Sequence, residues 1–296
     1  MEIQENGRKL NMQKVWMVLI VALMIVSMTG FGSNVNAEED DEKHGRPVNV
    51  KVMSFNIHHA EGIDGVLDLE RIARIIEDSD TDIVGLQEVD NHWSERSDFK
   101  DQAKELAKRL GMFYTYAPNL DREPLEVGGH RRQYGTAVLS KYPIIESENH
   151  LLTKIGNTEQ RGLLETTINV KGNHLHFYNT HLALTSAERE IQLKEIIEIA
   201  GEKKGPKVIM GDLNATPTSN EMKLMYANYV DAFAKTPEAY TYPAEDPSKR
   251  IDYIFTSDNI ETGETEVIST NASDHLPLTA EIVLEREKPY NNGDDK

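Results

Sequence analysis

At 296 residues, 39% of them hydrophobic and 28% charged, the chain is long enough to form one large globular domain or two ordinary ones. It contains no cysteine, which excludes disulfides, thiol catalysis and Cys-ligated zinc. A formal net charge of −18 disfavours tight non-specific binding to nucleic acid or anionic membranes, although a local basic cleft on an acidic body remains compatible with a nuclease.

The first segment reads as an export signal. Arg8, Lys9 and Lys14 precede an uncharged apolar run over residues 15–28, and a small-residue stretch ends in Val35-Asn36-Ala37. This order matches a secretory signal peptide cleaved after Ala37, giving a secreted protein with no stable membrane anchor. The rival reading, an uncleaved anchor, needs about 20 apolar residues, and the run is short of that. Residues 1–37 carry three basic and two acidic groups, so their removal takes the net charge from −18 to −19. Residues 38–47 form an acidic linker, with Glu38-Glu39-Asp40-Asp41-Glu42 at its head. A folded domain is expected over residues 48–285, followed by a charged, frayed tail over 286–296.

Within the domain, residues 48–55 alternate as a strand that ends in Ser54-Phe55-Asn56-Ile57-His58-His59. His58 and His59 are adjacent, so in an extended chain they point to opposite sides, and at most one faces a site at the strand end. A helix over residues 68–77 carries Leu69, Ile72, Ala73 and Ile76 at helical spacing, with Asp68 as N-cap. A buried strand at 83–86 leads into Gln87-Glu88-Val89-Asp90. A helix at 101–110 is closed by Gly111, and a strand follows at 113–117. Residues 119–132 read as a polar loop that ends in His130-Arg131-Arg132, the one dense basic patch of the domain.

Strands at 134–140, 163–170 and 175–180 come next, the last two forming a hairpin across Lys171-Gly172-Asn173. The longest helix spans 186–203, with Ser186 as cap and Ile191, Ile196, Ile197 and Ala200 as its buried stripe. The apolar run Val208-Ile209-Met210 is a buried strand that stops on Gly211-Asp212-Leu213-Asn214. Strands at 251–255, carrying Asp252, and at 276–284, entered through Ser273-Asp274-His275, complete the chain. Strands interspersed with helices, then strand on strand, predict two mixed sheets packed face to face with helices outside.

Asn56, Glu88, His181, Asp212, Asn214 and Asp252 thus stand at or beside the ends of apolar strands, and Asp274-His275 stands just before another. Singly, each fits a turn or a satisfied surface group. Jointly, carboxylates, amides and two histidines, with no Gly-x-Ser-x-Gly elbow, suit hard-cation chemistry on phosphate.

Seven segments in order carry a family resemblance. They are Ser54-Phe55-Asn56, Leu86-Gln87-Glu88, residues 134–140, Asn179-Thr180-His181-Leu182, Gly211-Asp212-Leu213-Asn214, Arg250-Ile251-Asp252-Tyr253-Ile254 and Ser273-Asp274-His275-Leu276-Pro277. The series resembles the motifs of the endonuclease/exonuclease/phosphatase superfamily, which includes deoxyribonuclease I-like nucleases, abasic-site endonucleases, sphingomyelinases and inositol polyphosphate phosphatases.

The resemblance implies a four-layer α/β sandwich and a metal-dependent hydrolysis of phosphoesters. It implies Glu88 as principal Mg²⁺ ligand with Asn56 beside it, Mn²⁺ being a possible substitute, and Asp274 as a further metal contact or support for the His181 side. His275, oriented by Asp252, would be the general base. Asp212 would orient the nucleophile or share the proton, Asn214 would donate to phosphoryl oxygens, and His181 would bond the phosphate as charge builds. Arg161 stands where that family often has an arginine; it is either a substrate contact or a surface ion pair. Arg131, Arg132 and Tyr134 are candidate substrate contacts at the mouth of the site, the arginines otherwise being solvated surface.

The expected activity is that of a secreted, monomeric phosphodiesterase acting on a small molecule, a lipid headgroup or a nucleic acid. Alternatives are a secreted nuclease, then a sugar or inositol phosphatase. A catalytically silent secreted binding protein is the reading from another class, and the intact set of Glu88, Asp212, Asn214, Asp252 and His275 argues against it.

Overall fold

The computed structural model describes residues 47–236 and 238–285. The expected signal peptide, the C-terminal tail and all of the expected linker but Pro47 lie outside the described residues.

Among the described residues, twelve strands form two sheets of six. The first sheet has the order β11-β12-β1-β2-β4-β3. It comprises β1 (Val48–Asn56), β2 (Ile83–Asn91), β3 (Phe113–Arg122), β4 (Arg132–Ser140), β11 (Glu261–Val267) and β12 (Leu278–Leu284). The second has the order β5-β6-β7-β8-β10-β9. Its members are β5 (Ile144–Leu151), β6 (Gly162–Val170), β7 (Asn173–His181), β8 (Lys207–Asp212), β9 (Val230–Asp231) and β10 (Asp252–Thr256). Both sheets are mixed: β1 pairs parallel with β2 and β7 parallel with β8, and the remaining pairings are antiparallel.

The period-two alternation of side chains decides the layering. Val50 and Val52 of β1, Val138 of β4, Phe177 of β7, Val208 and Met210 of β8 and Ile254 of β10 point between the sheets into one core. Met53, Phe55, Val84 and Leu86 point the other way. They meet Ile72, Ala73 and Ile76 of helix α1 (Leu69–Asp78) and Ala103, Leu106 and Ala107 of α2 (Gln102–Leu110). On the far face of the second sheet, Tyr178, Ile209 and Phe255 pack on Leu193, Ile196 and Ala200 of α3 (Ser186–Glu202) and on Met222 and Met225 of α4 (Met222–Asn228). The order helix, sheet, sheet, helix is a four-layer α/β sandwich. Strands buried on both faces read as continuous apolar runs, which is why β1, β2 and β8 stand out in the sequence.

Several boundaries move. The helix cap at Asp68 forms as expected, its carboxylate accepting the Glu70 and Arg71 N–H groups, Asp101 caps α2 by accepting the Lys104 N–H, and Gly111 closes α2 at φ 66°. The cap of α3 is Thr185 rather than Ser186: Thr185 Oγ1 accepts the Glu188 N–H and donates to the Glu188 carboxylate, and Ser186 Oγ donates to Glu221 instead. The buried face of α3 is Glu188, Arg189, Gln192, Leu193, Ile196 and Ala200, while Ile191 is exposed. Three polar residues belong to that face because Thr158 and the Ile155 N–H satisfy Glu188, Glu221 satisfies Arg189, and the backbones of Thr153 and Ala183 satisfy Gln192. The loop expected over 119–132 is shorter, because β3 continues to Arg122 opposite Arg132 of β4.

Candidate active site

The sheet topology brings the marked residues to one edge of the sandwich. β1 and β2 run parallel with Asn56 beside Gln87, so their carboxyl ends open on the same side. β7 and β8 run parallel with His181 beside Asp212, and antiparallel β10 places Asp252 opposite Asp212. The two ends face each other because the sheets are tied beneath them. Asn179 of β7 donates to the carbonyls of Leu86 (2.8 Å) and Ala137 (2.9 Å), and its oxygen accepts from Gln87 Nε2 at 2.7 Å. Ser273 supplies a further tie: its Oγ donates to the Asn56 carbonyl at 2.7 Å and accepts the His275 N–H at 3.2 Å.

Two backbone features aim the side chains. The register of β2 slips between Leu86 and Val89, and Glu88 takes φ 57° at that irregularity, which turns its carboxylate toward the cleft. Gly211 has φ 144°, and a Cβ there would stand 1.9 Å from the Thr180 carbonyl oxygen. Only glycine lets β8 approach β7 so closely one residue before Asp212.

The polar groups form a continuous row. Asp252 Oδ2 lies 2.9 Å from His275 Nδ1, and His275 Nε2 lies 3.7 Å from Asp212 Oδ2. His181 Nε2 lies 3.4 Å from the same Asp212 oxygen. Asn56 Nδ2 donates to Asp212 Oδ2 at 3.1 Å and to Glu88 Oε1 at 3.0 Å, and Asn56 Oδ1 accepts the His58 N–H. Asn214 donates its backbone N–H to Asp212 Oδ1 and its side-chain N–H to the Leu182 carbonyl. A cleft of about 510 Å³ lies over this row, and Glu88, Tyr134, Arg161, His181, Asp212, Asn214, Asp274 and His275 line it.

The electrostatics follow from burial and proximity. Burial, then the charge of Asp252, pushes the Asp212 carboxyl up to about 7. Burial alone would lower His275, but the carboxylates of Asp252 and Asp212 overcome it and raise the imidazole to about 10. Burial, with Arg161 and His275 adding to it, holds His181 well below the usual histidine range. His275 is therefore charged and His181 neutral near pH 7.

Arg161 is buried and reaches the cleft wall, with Nη1 2.8 Å from Glu159, so it is not a surface ion pair. The structure does not bring Arg131 and Arg132 to the cleft. Arg131 is held by Asp121 and Glu123 at the end of the β3–β4 hairpin, and Arg132 donates to the Glu123 carbonyl and borders a separate hollow with His92, Phe99 and His130. Asp121 and Glu123, which neutralise Arg131, were legible as charge, but the pairing of Arg122 opposite Arg132 that sets this hairpin was not.

Several cleft residues went unmarked in the sequence. Tyr242 lies 4.8 Å from the His275 ring, centroid to centroid, Lys249 stands beside it, and Glu159, Leu184 and Thr216 also line the cleft. Lys249 adjoins the Arg250-Ile251-Asp252 segment, and that adjacency was the available signal. The expectation for His58 and His59 also fails. Residues 58–60 take φ 44°, 46° and 66° in one 3-10 turn, so both rings lie on the Glu88 side.

The donor set fits a divalent cation. Glu88 and Asp212 converge on one amide nitrogen, and among the described residues no basic side chain pairs with Glu88 within 4 Å. A hard oxygen donor such as Glu88, left without a cationic partner, is what Mg²⁺ or Mn²⁺ requires. The sequence profile of the Endonuclease/Exonuclease/phosphatase family matches residues 53–275, the span that carries every group named above.

The chain belongs to the endonuclease/exonuclease/phosphatase family. Members of that family hydrolyse phosphoester bonds with a divalent metal, and this chain is a phosphoester hydrolase of that type. It is 28% identical over 255 residues to the uncharacterized protein YbhP of Escherichia coli K12, covering 79% of this chain and 96% of that one. It is 28% identical over 188 residues to a phospholipase C of Staphylococcus aureus, covering 53% and 52% of the two. Among solved structures, a mannosyl-6-phosphatase of Bacteroides thetaiotaomicron shares the fold at TM-score 0.65 and 20% identity, covering 79% of this chain and all of that one. The human Nocturnin catalytic domain does so at 0.62 and 24%, covering 79% and 93%.

Proposed function

We propose that this member of the family is an exported phosphodiesterase for a small or headgroup-sized diester. On this reading Glu88 is the principal ligand of a divalent cation, and Asp252, His275 and Asp212 handle the proton. The observation that carries the proposal is the unbroken row from Asp252 through His275, Asp212 and Asn56 to Glu88, with every spacing at or below 3.7 Å.

A cation bound at Glu88 supplies charge neutralisation on the phosphoryl oxygens. Asp212 would orient the attacking water and accept its proton as the new P–O bond forms and the ester P–O bond breaks, the leaving oxygen taking its proton from solvent. Its carboxyl, raised to about 7, is matched to that task near neutral pH. His275, held by Asp252, would share the proton with Asp212 and stabilise the charge that accumulates. Neutral His181 donates a hydrogen bond to the same oxygens. Arg161 and Lys249 are the basic side chains of the cleft lining, and they grip the phosphate.

Two cations suit one phosphodiester better than a polyanion, because nucleic acid binding rests on a run of phosphate contacts. Likeness to a phospholipase C supports a headgroup substrate over a nuclease reading. Export rests on the basic, apolar and Val35-Asn36-Ala37 segments, and N-terminal sequencing of secreted protein beginning at Glu38 is its test. A substrate panel with Mg²⁺ and with Mn²⁺ tests the class: plasmid DNA, RNA, sphingomyelin, phosphoinositides and bis-p-nitrophenyl phosphate. Turnover of headgroup or model diesters is expected. Faster cleavage of DNA than of any small diester would contradict it.

A further inference from the structure

The paired histidines after β1 do more than turn the chain. One ring nitrogen from each of His58 and His59 and a carboxylate oxygen of Glu88 all lie within 4.8 Å of one another. Both rings are pre-set to present a lone pair. His58 Nδ1 lies 3.1 Å from the Glu61 carbonyl, which can only accept, so that nitrogen carries the proton and Nε2 is left free. A ring held through its second nitrogen by a carbonyl is the usual arrangement of a metal-bound histidine.

His59 is about 94% buried, with Nε2 3.5 Å from the Glu61 carboxylate, while its Nδ1 is buried and has no hydrogen-bond partner. A buried donor or acceptor without a partner costs about 1–3 kcal/mol, so the position calls for a ligand. The left-handed backbone at residues 58–60 adds strain that non-glycine residues rarely accept, and it is what brings both rings to one side.

We propose that His58 and His59 join Glu88 as ligands of the functional cation, so that this site selects a transition divalent ion over Mg²⁺. The inference rests on the metal-dependent reading above and adds the identity of the ion class. Two imidazoles and a carboxylate suit Mn²⁺, Fe²⁺, Co²⁺ or Zn²⁺, whereas Mg²⁺ prefers oxygen donors and retained waters. Asn56 is the hinge between the two donor sets: its Oδ1 fixes the His58 backbone and its Nδ2 fixes Glu88.

The test uses the full chain, stripped with EDTA and loaded with one equivalent of Mn²⁺. Electron spin echo modulation reads directly whether imidazole nitrogen is coupled to the ion, with no substrate present. Nitrogen modulation is expected in the wild type and is expected to weaken in His58→Ala and in His59→Ala. In Mg²⁺ competition, wild-type protein should hold Mn²⁺ about 100-fold more tightly than Mg²⁺, and each variant should lose about tenfold of that preference. Bound Mn²⁺ without nitrogen modulation in the wild type overturns the proposal, and that measurement needs no variant to fold. Nitrogen coupling in a protein that cleaves no phosphoester would sink the functional reading and leave the ligand assignment standing.

Discussion

His275 is held between two buried carboxylates, with Nδ1 2.9 Å from Asp252 and Nε2 3.7 Å from Asp212. The imidazole thus bridges the two carboxylates, and Asp212 is further fixed by the Asn56 amide and the Asn214 N–H. Substitutions along the row should therefore not behave independently. His275→Ala and Asp252→Asn should each lower kcat by about 10²–10⁴-fold with little change in KM. The double variant should be little worse than His275→Ala alone. Steady-state kinetics on the four proteins checks this, and multiplicative losses would show that the two residues do not act as a unit.

The same row makes the stability of the chelated protein depend on pH in one direction. The carboxyl of Asp212 is raised from 3.8 to about 7, and the imidazole of His275 from 6.5 to about 10. In both cases the folded state binds the proton more tightly than the unfolded state does. The contribution from His275 is fully present below about pH 6.5 and is lost as pH rises through about 10, and that from Asp212 is lost between about 4 and 7. Thermal melts in EDTA should show Tm falling from pH 5 to 10, with a shallower slope in His275→Asn and in Asp212→Asn. Equal slopes in all three proteins would contradict the assignment.

Gly211 is a structural test of the strand contact that aims Asp212. A methyl group at this position would meet the Thr180 oxygen at 1.9 Å, and the backbone would stay in a region that side chains avoid. Gly211→Ala should cost about 1–3 kcal/mol through overpacking and also lower kcat, because β7 and β8 must separate beside His181 and Asp212. Denaturant unfolding with parallel kinetics measures both effects.

The arginines separate by position. Arg161 on the cleft wall should raise KM about tenfold or more when changed to Ala, whereas Arg131→Ala with Arg132→Ala should leave KM unchanged, since Asp121 and Glu123 hold Arg131, the Glu123 carbonyl holds Arg132, and neither lines the cleft. A rise in KM for the hairpin variant would return those residues to the substrate path.

Much of this was legible in the sequence, for physical reasons. Strands buried on both faces, such as β1 and β8, leave unbroken apolar runs, and the polar residue that ends each run marks the rim of the sheet. The strands β5 and β11 were not legible: they are exposed edge strands such as Ile144-Ile145-Glu146-Ser147, whose charged residues mask any alternation. The stripe of α3 was misplaced because Arg189 and Gln192 are buried by virtue of partners distant in the chain. The facing of His58 and His59 depended on three left-handed residues, which no period reveals. Arg131 and Arg132 showed their charge but not their partners.

The central claim is metal-dependent phosphoester hydrolysis carried by Glu88 and Asp212. The most direct measurement is hydrolysis of bis-p-nitrophenyl phosphate by the full chain after EDTA treatment, before and after adding Mn²⁺ or Mg²⁺, with Glu88→Gln and Asp212→Asn alongside. The account predicts no turnover in EDTA, recovery with added cation in the wild type, and losses of about 10²-fold or more in both variants. Undiminished turnover in EDTA, or wild-type rates in Glu88→Gln and Asp212→Asn, would contradict it.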